Sequence, residues 1–293
     1  MTQKVGLIGL GSIGHPLAVN MIAKGLEVHG YRRSPMTEFE AAGGKPAASP
    51  KAIAETCDII AMVLPGEHET EEVLFGPQGI LAAGRKELII IDLSTYPLGD
   101  KQAFAARVQE AGSFMMDCPL SGVPSMVAAR NGIIFASGEK EAFEKSRHVF
   151  EAMSDKCFYL GKFGDGLKMK FVANTLVSIH ILAAAEALAL GVAAGLDRDT
   201  MVKVLSPSAG TSLQFQVRAP LMMKKQYEPV MAPTSILSKD VPVFIDFAKS
   251  MGAKTPLLEV AEKFYTRALG TPWESKDVAS IIELYAQDNG ITI

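Results

Sequence analysis

Apolar residues follow two different rhythms in this chain, and the change comes near Gly164. Upstream, short strand-like runs recur at 5–8, 27–31, 58–64, 88–92, 114–117, 133–138 and 157–161, with more polar segments between them. Several of these runs are continuously apolar, which predicts parallel strands covered on both faces, because a strand with one wet face would alternate. After the first run, Leu17, Met21 and Ile22 recur at spacings of three and four before Gly25, the pattern of an amphipathic helix. A second such helix is expected over 141–153. Downstream of Gly164 the strand-like runs stop. Helical periodicity rich in Met and Ala takes over, with helices expected near 166–195, 197–206, 211–226, 239–252, 256–270 and 274–288.

The first of those helices contains the most apolar stretch of the chain, from Phe171 to Gly195, which is long enough to cross a bilayer. It also carries Asn174, His180 and Glu186, polar groups that a lone span would leave without partners in lipid. A helix buried on most sides inside protein is therefore expected, with no membrane partner. The composition agrees: 48% hydrophobic and 21% charged residues supply a sizeable core, and 293 residues suffice for two domains. A net charge of −3 leaves no footprint for nucleic acid. Cys57, Cys118 and Cys157 are odd in number and widely spaced, and the five histidines show no ligand spacing. Neither a disulfide framework nor a metal site is expected. The strand pattern begins at Lys4 with no charged-then-apolar leader before it, so a reduced, cytoplasmic protein is expected.

The candidate chemistry begins directly after the first run, with Gly9-Leu10-Gly11-Ser12-Ile13-Gly14. A GxGxxG between a strand and a helix suits a dinucleotide: Gly9 for the tight turn, Gly11 for close approach to the pyrophosphate, Gly14 for helix–strand packing. The helix N-terminus then offers N–H groups to phosphate. At the end of the second run, where an NAD site usually places a carboxylate for the ribose 2′-hydroxyl, stand Arg32-Arg33-Ser34. Two guanidiniums and a hydroxyl favour a 2′-phosphate, and hence NADP over NAD; the alternative is two solvated arginines beside an indifferent ribose. Leu64, Pro65 and Thr95 follow later strands and are candidates for the nicotinamide end, or are structural. Ser121-Gly122, in a Pro-rich turn after the run at 114–117, pairs a hydroxyl with a backbone amide and could hold a carboxylate, or form a local serine turn. Gly164-x-Gly166-x-x-x-Lys170-x-x-x-Asn174 opens the long apolar helix. Lys170 and Asn174 are four apart and share a helical face, suited to a small oxygenated substrate unless Lys170 is simply solvated. Lys239-Asp240 either caps a Pro-containing helix start or faces a site.

In this order, the motifs resemble the β-hydroxyacid dehydrogenase family, which includes 3-hydroxyisobutyrate dehydrogenase and tartronate semialdehyde reductase. Residues 9–20 resemble its GLGxMGxPMAxN, 117–122 its DAPVSG, 164–174 its GxGxxxKxxxN, and Lys239-Asp240 a downstream KD pair. The resemblance implies a doubly wound Rossmann domain over 1–163 and an all-helical domain over 164–293, joined by the long helix, with the active site in the cleft between. It implies hydride transfer between NADP(H) and a small carboxylate-bearing β-hydroxyacid or its semialdehyde. Lys170 is then the general acid/base, Asn174 the orienting group, Ser121 and Gly122 the carboxylate anchors, and Lys239 a cofactor neighbour. A homodimer or homotetramer is implied as well. Ala173, Val123, Leu213 and Arg32 depart from the family's usual residues. An imine reductase-like enzyme, or a non-catalytic NADP-binding sensor or scaffold, is the alternative reading.

Overall fold

A computed structural model describes residues 3–293. The chain divides into two compact units, one ending at Lys170 and the other beginning at Phe171. Among the described residues the first contains nine strands. β1 (Lys4–Ile8), β2 (Glu27–Tyr31), β3 (Lys45–Pro46), β4 (Ile59–Met62), β5 (Ile89–Asp92) and β6 (Phe114–Asp117) form one sheet, ordered β3-β2-β1-β4-β5-β6 with every neighbouring pair parallel. The crossovers carry α1 (Gly14–Ala23), α2 (Thr37–Ala41), α3 (Pro50–Thr56), α4 (Glu67–Phe75) and α5 (Leu98–Glu110). The continuous apolar runs are explained by burial on both faces. On β1, Leu7 joins one core cluster with Leu17, Met21 and Phe150, whereas its neighbour Ile8 joins another with Ile53, Ile60 and Phe104. Strand order reverses at β1, between β2 and β4, and ligands of open α/β sheets bind at such a switch point.

The runs after β6 do not extend this sheet. β7 (Leu120–Ser121), β8 (Ile133–Ala136) and β9 (Lys156–Tyr159) form a separate three-stranded sheet, β7 antiparallel and β9 parallel to β8. Between them lie α6 (Pro124–Ala128) and α7 (Lys140–Met153). Pro119 and Pro124 lack donors for a continuing ladder, so the chain turns, and an isolated Asp117–Ser137 bridge joins the two sheets. Asn20 ties this region together: its buried amide donates to Val127 O (2.8 Å) and Met153 O (3.2 Å).

The second unit is helical among the described residues. α8 (Asp165–Ala193) enters it from the first, and α9 (Arg198–Leu205), α10 (Leu213–Lys224), α11 (Thr234–Ser250), α12 (Pro256–Arg267) and α13 (Ile282–Asn289) follow. Asp197 and Ser212 cap α9 and α10 by accepting from Thr200 N and Phe215 N. Two boundaries differ from expectation. α11 begins at Thr234 rather than near 239, so Lys239, Asp240 and Pro242 lie inside it. The N–H groups of Thr234 and Ser235 donate to Lys276 O and Glu274 O, which gives the early start its partners. That same pairing holds 274–277 out of the last helix, and a 3₁₀ turn over Val278–Ile281 precedes α13.

α8 also departs from the expected burial. By length and composition it could span a bilayer, and 44% of its most apolar window is buried. Val172, Leu176 and Leu190 are each more than half exposed.

Candidate active site

The glycines after β1 meet three different demands. Gly9 has φ +93°, and a Cβ there would lie 2.0 Å from Val63 O. At Gly14 a Cβ would lie 1.8 Å from Gly9 O, which forces the start of α1 against the loop. At Gly11 nothing lies within 4 Å. A side chain there would project into open space, which is what a pyrophosphate approaching the backbone needs. α1 opens without a side-chain cap. The loop borders a cleft of about 690 Å³. Gly9, Leu10, Gly11, Arg32, Arg33, Ser34, Leu64 and Pro65, all expected cofactor contacts, line it together, whereas Ser12, Ile13, Gly14 and Thr95 are not on its wall. These residues fit a dinucleotide: a tight glycine turn, an open approach and basic groups at the end of β2.

The two arginines are not equivalent. Arg32 is occupied by its own loop, with Nε donating to Pro35 O (2.7 Å), Nη1 to Leu10 O (3.0 Å) and Nη2 again to Pro35 O. Arg33 is exposed and has no such partner among the described residues. Glu69 and Glu72 of α4 line the same cleft.

The region around Ser121 and Lys170 is set by close backbone approach. Gly122, at φ +153°, follows Ser121 at the end of β7. Gly164, at φ +93°, makes the turn into α8. Gly166 is required for a different reason: its Cβ would lie 2.3 Å from Phe135 O and 2.7 Å from Asp117 O. Its N–H donates to Ser137 Oγ (2.9 Å), and the next, Leu167 N–H, donates to Asp117 Oδ2 (2.7 Å). An anion at a helix N-terminus is stabilising there, and this one comes from the end of β6. Lys170 follows within the first turns of α8, and Asn174 lies one turn further along it. Lys168, two residues earlier, pairs with Asp165 (2.9 Å).

Sequence reading missed the group behind that helix start. Lys101 on α5 is fully buried, 2.7 Å from Asp117 Oδ1 and 3.1 Å from Asp92 Oδ2. Burial alone would lower its pKa, but the two carboxylates outweigh burial and hold it above the ordinary lysine value. Tyr96 donates to Asp92 Oδ2 (2.7 Å), and burial first, then the Asp92 charge, push its phenol well up. The available signal was phase: Lys101 occupies the stripe of Phe104 and Val108, where an apolar residue belongs. The three cysteines are free thiols, and burial pushes Cys57 and Cys157 up to about 12. In the second unit, Lys239 is exposed and lies 3.2 Å from Asp240 Oδ1.

Comparison with known proteins agrees with this architecture. Residues 4–161 match the NAD-binding domain of 6-phosphogluconate dehydrogenase, and residues 164–285 match the NAD-binding region of NADP-dependent 3-hydroxyisobutyrate dehydrogenase. The chain is 33% identical to an L-threonate dehydrogenase of Cupriavidus necator, over 97% of each chain. It is 30% identical to the mitochondrial 3-hydroxyisobutyrate dehydrogenase of Mus musculus, over 97% of this chain and 87% of that one. A crystal structure of 3-hydroxyisobutyrate dehydrogenase from Salmonella typhimurium superimposes with a TM-score of 0.87 at 28% identity, covering 96% and 99% of the two chains. The glycine cradle at the switch point and the whole-length similarity lead to one conclusion: the chain belongs to the β-hydroxyacid dehydrogenase family of NAD(P)-dependent oxidoreductases.

Proposed function

We propose that this protein is an NADP-preferring dehydrogenase of a small hydroxy acid, with Lys170 as its general acid/base. The observation that carries the cofactor preference is Arg33: a guanidinium with unspent donors beside the cleft at the end of β2, where residues 32–34 offer no carboxylate. The substrate class rests on the relatives, whose names give L-threonate and 3-hydroxyisobutyrate, each a short chain bearing a carboxylate and a hydroxyl. When bound, the nicotinamide supplies or accepts the hydride. The glycine loop would hold its pyrophosphate, and Arg33 with Ser34 the 2′-phosphate. The Ser121 hydroxyl and the Gly122 N–H donate to the substrate carboxylate and fix the carbinol carbon. Lys170 Nζ takes the hydroxyl proton on oxidation and returns it on reduction, and Asn174 orients the same hydroxyl. The contribution of Lys239 rests on the motif resemblance alone.

Self-association belongs to the same reading, supported by the exposed apolar face of α8. The test of function is NADPH oxidation with succinic, methylmalonic and tartronic semialdehydes and glyoxylate, run in parallel with NADH. Turnover of an acid with NADPH preferred is expected. Lys170→Ala should lower kcat by roughly 10²–10⁴-fold with the NADPH dissociation constant unchanged. Near-normal turnover by that variant would remove Lys170 from the mechanism.

A further inference from the structure

The buried polar group behind the start of α8 reaches both ends of the chemistry. Asp117 accepts from Lys101 Nζ at 2.7 Å and from Leu167 N–H at 2.7 Å, through different carboxylate oxygens. Ser137 donates to Asp117 O (2.9 Å), also lies 3.2 Å from Asp117 Oδ2, and accepts from Gly166 N–H at 2.9 Å. On the other side, Lys101 reaches Asp92 Oδ2 at 3.1 Å, and Asp92 Oδ1 accepts from Ser94 N–H at 3.0 Å. Ser94 Oγ in turn accepts from the N–H of Leu64 (2.9 Å), a residue on the wall of the cofactor cleft. Asp92, Lys101, Asp117 and Ser137 are all completely buried.

Burying two carboxylates and an ammonium is unfavourable against apolar packing of the same volume, so a buried cluster of this kind is weak evidence of a stabilising role. What it supplies is direction. Each carboxylate has its two oxygens divided between the shared ammonium and a backbone N–H, that of Ser94 just beyond β5 for Asp92 and that of Leu167 in the first turn of α8 for Asp117. No apolar replacement could hold those N–H groups in place. The ammonium joins the wall of the cofactor cleft to the first turn of α8, and Lys170 sits one turn beyond that first turn.

We propose that Lys101, Asp117 and Ser137 are positioning residues for hydride transfer: they fix the N-terminus of α8, and with it Lys170, against the strand ends that hold the cofactor. The proposal rests on Lys170 acting as the acid/base. Shifts of about 1 Å in such a group reduce rates by about 10²-fold, so small losses of order should be visible in kcat.

Two measurements test it. In the unaltered protein, the amides of Gly166 and Leu167 should exchange with deuterium as slowly as those of β4 and β5. Fast exchange there would overturn the proposal without any variant having to fold. In the second, Ser137→Ala and Asp117→Asn are compared with the parent for NADPH dissociation constant, kcat and the pH profile of kcat. The expected result is an NADPH constant within about twofold of the parent, a kcat lowered at least about tenfold, and an altered pH profile, because Lys170 is displaced while the cleft is kept. Unchanged kcat in folded variants, or cofactor affinity lost in proportion to kcat, would reduce the cluster to a structural one. Lys170→Met separates the two readings. If it retains full activity, the assignment of Lys170 fails whatever the amides do; if it is inactive and the amides exchange quickly, only the positioning role fails.

Discussion

Arg32 and Arg33 carry the same group on adjacent residues and are put to different uses by their surroundings. Arg32 spends its donors on Leu10 O and Pro35 O, which joins the glycine loop to the turn after β2. Arg33 is exposed on the cleft wall and makes no such bond among the described residues. Hydrogen bonds to a charged group contribute about 1.5–3 kcal/mol, and each 1.4 kcal/mol is tenfold. Arg33→Ala should therefore raise the KM for NADPH about 10- to 100-fold and leave that for NADH within about threefold. Arg32→Ala should weaken both cofactors alike, because it loosens Leu10 rather than a phosphate contact. Equal effects of the two variants on the NADPH/NADH ratio, measured by initial rates, would refute the division. The sequence shows both guanidiniums and the missing carboxylate. It does not show which one is occupied, because that depends on the chain folding back at Pro35. The same limit hid Lys101, whose meaning comes from Asp92 and Asp117 at the ends of two other strands.

At the scale of elements, what was legible was whatever a local pattern determines. Continuous apolar runs marked the parallel strands, since burial on both faces leaves no polar positions in them. β3 and β7, with two residues each, carry too little pattern to read, and the second sheet depends on Pro119 interrupting the ladder. The early start of α11 depends on partners far away in sequence, Glu274 and Lys276, which no helical period reveals. Gly166 shows how element and site meet. A glycine-to-alanine change inside a helix ordinarily stabilises by up to about 1 kcal/mol. Here the added Cβ would lie 2.3 Å from Phe135 O, a rigid backbone atom, and overpacking of this kind costs roughly 1–3 kcal/mol. Gly166→Ala should thus lower the melting temperature by roughly 2–10 °C by calorimetry and reduce kcat together with it. A stabilised, fully active variant would mean that α8 does not abut β8 as closely as described.

For the whole molecule, the change of rhythm near Gly164 foretold a parallel α/β unit followed by helices, but it could not say which side of α8 stays wet. At 100° per residue, Val172, Leu176, Ala183, Ala187 and Leu190 fall within a sector of about 60°, and all are exposed. From Val172 to Leu190 the stripe is about 27 Å long and, at a helix width of ~10 Å, covers only about 270 Å². A standard interface takes about 800 Å² from each partner, so the stripe can be the centre of a contact between two copies but not the whole of it. The exposed Leu196, Val204, Leu257 and Val260 of the same helical unit are apolar surface that could supply part of the remainder. Leu176→Asp combined with Leu190→Asp should then convert an oligomer into a smaller species by sedimentation velocity. Because both residues lie on the exposed face, the change should not lower the stability of the single chain. A parent protein that sediments as a monomer at micromolar concentration, or a doubly substituted protein of unchanged mass, would show that this face of α8 does not hold two copies of the chain together.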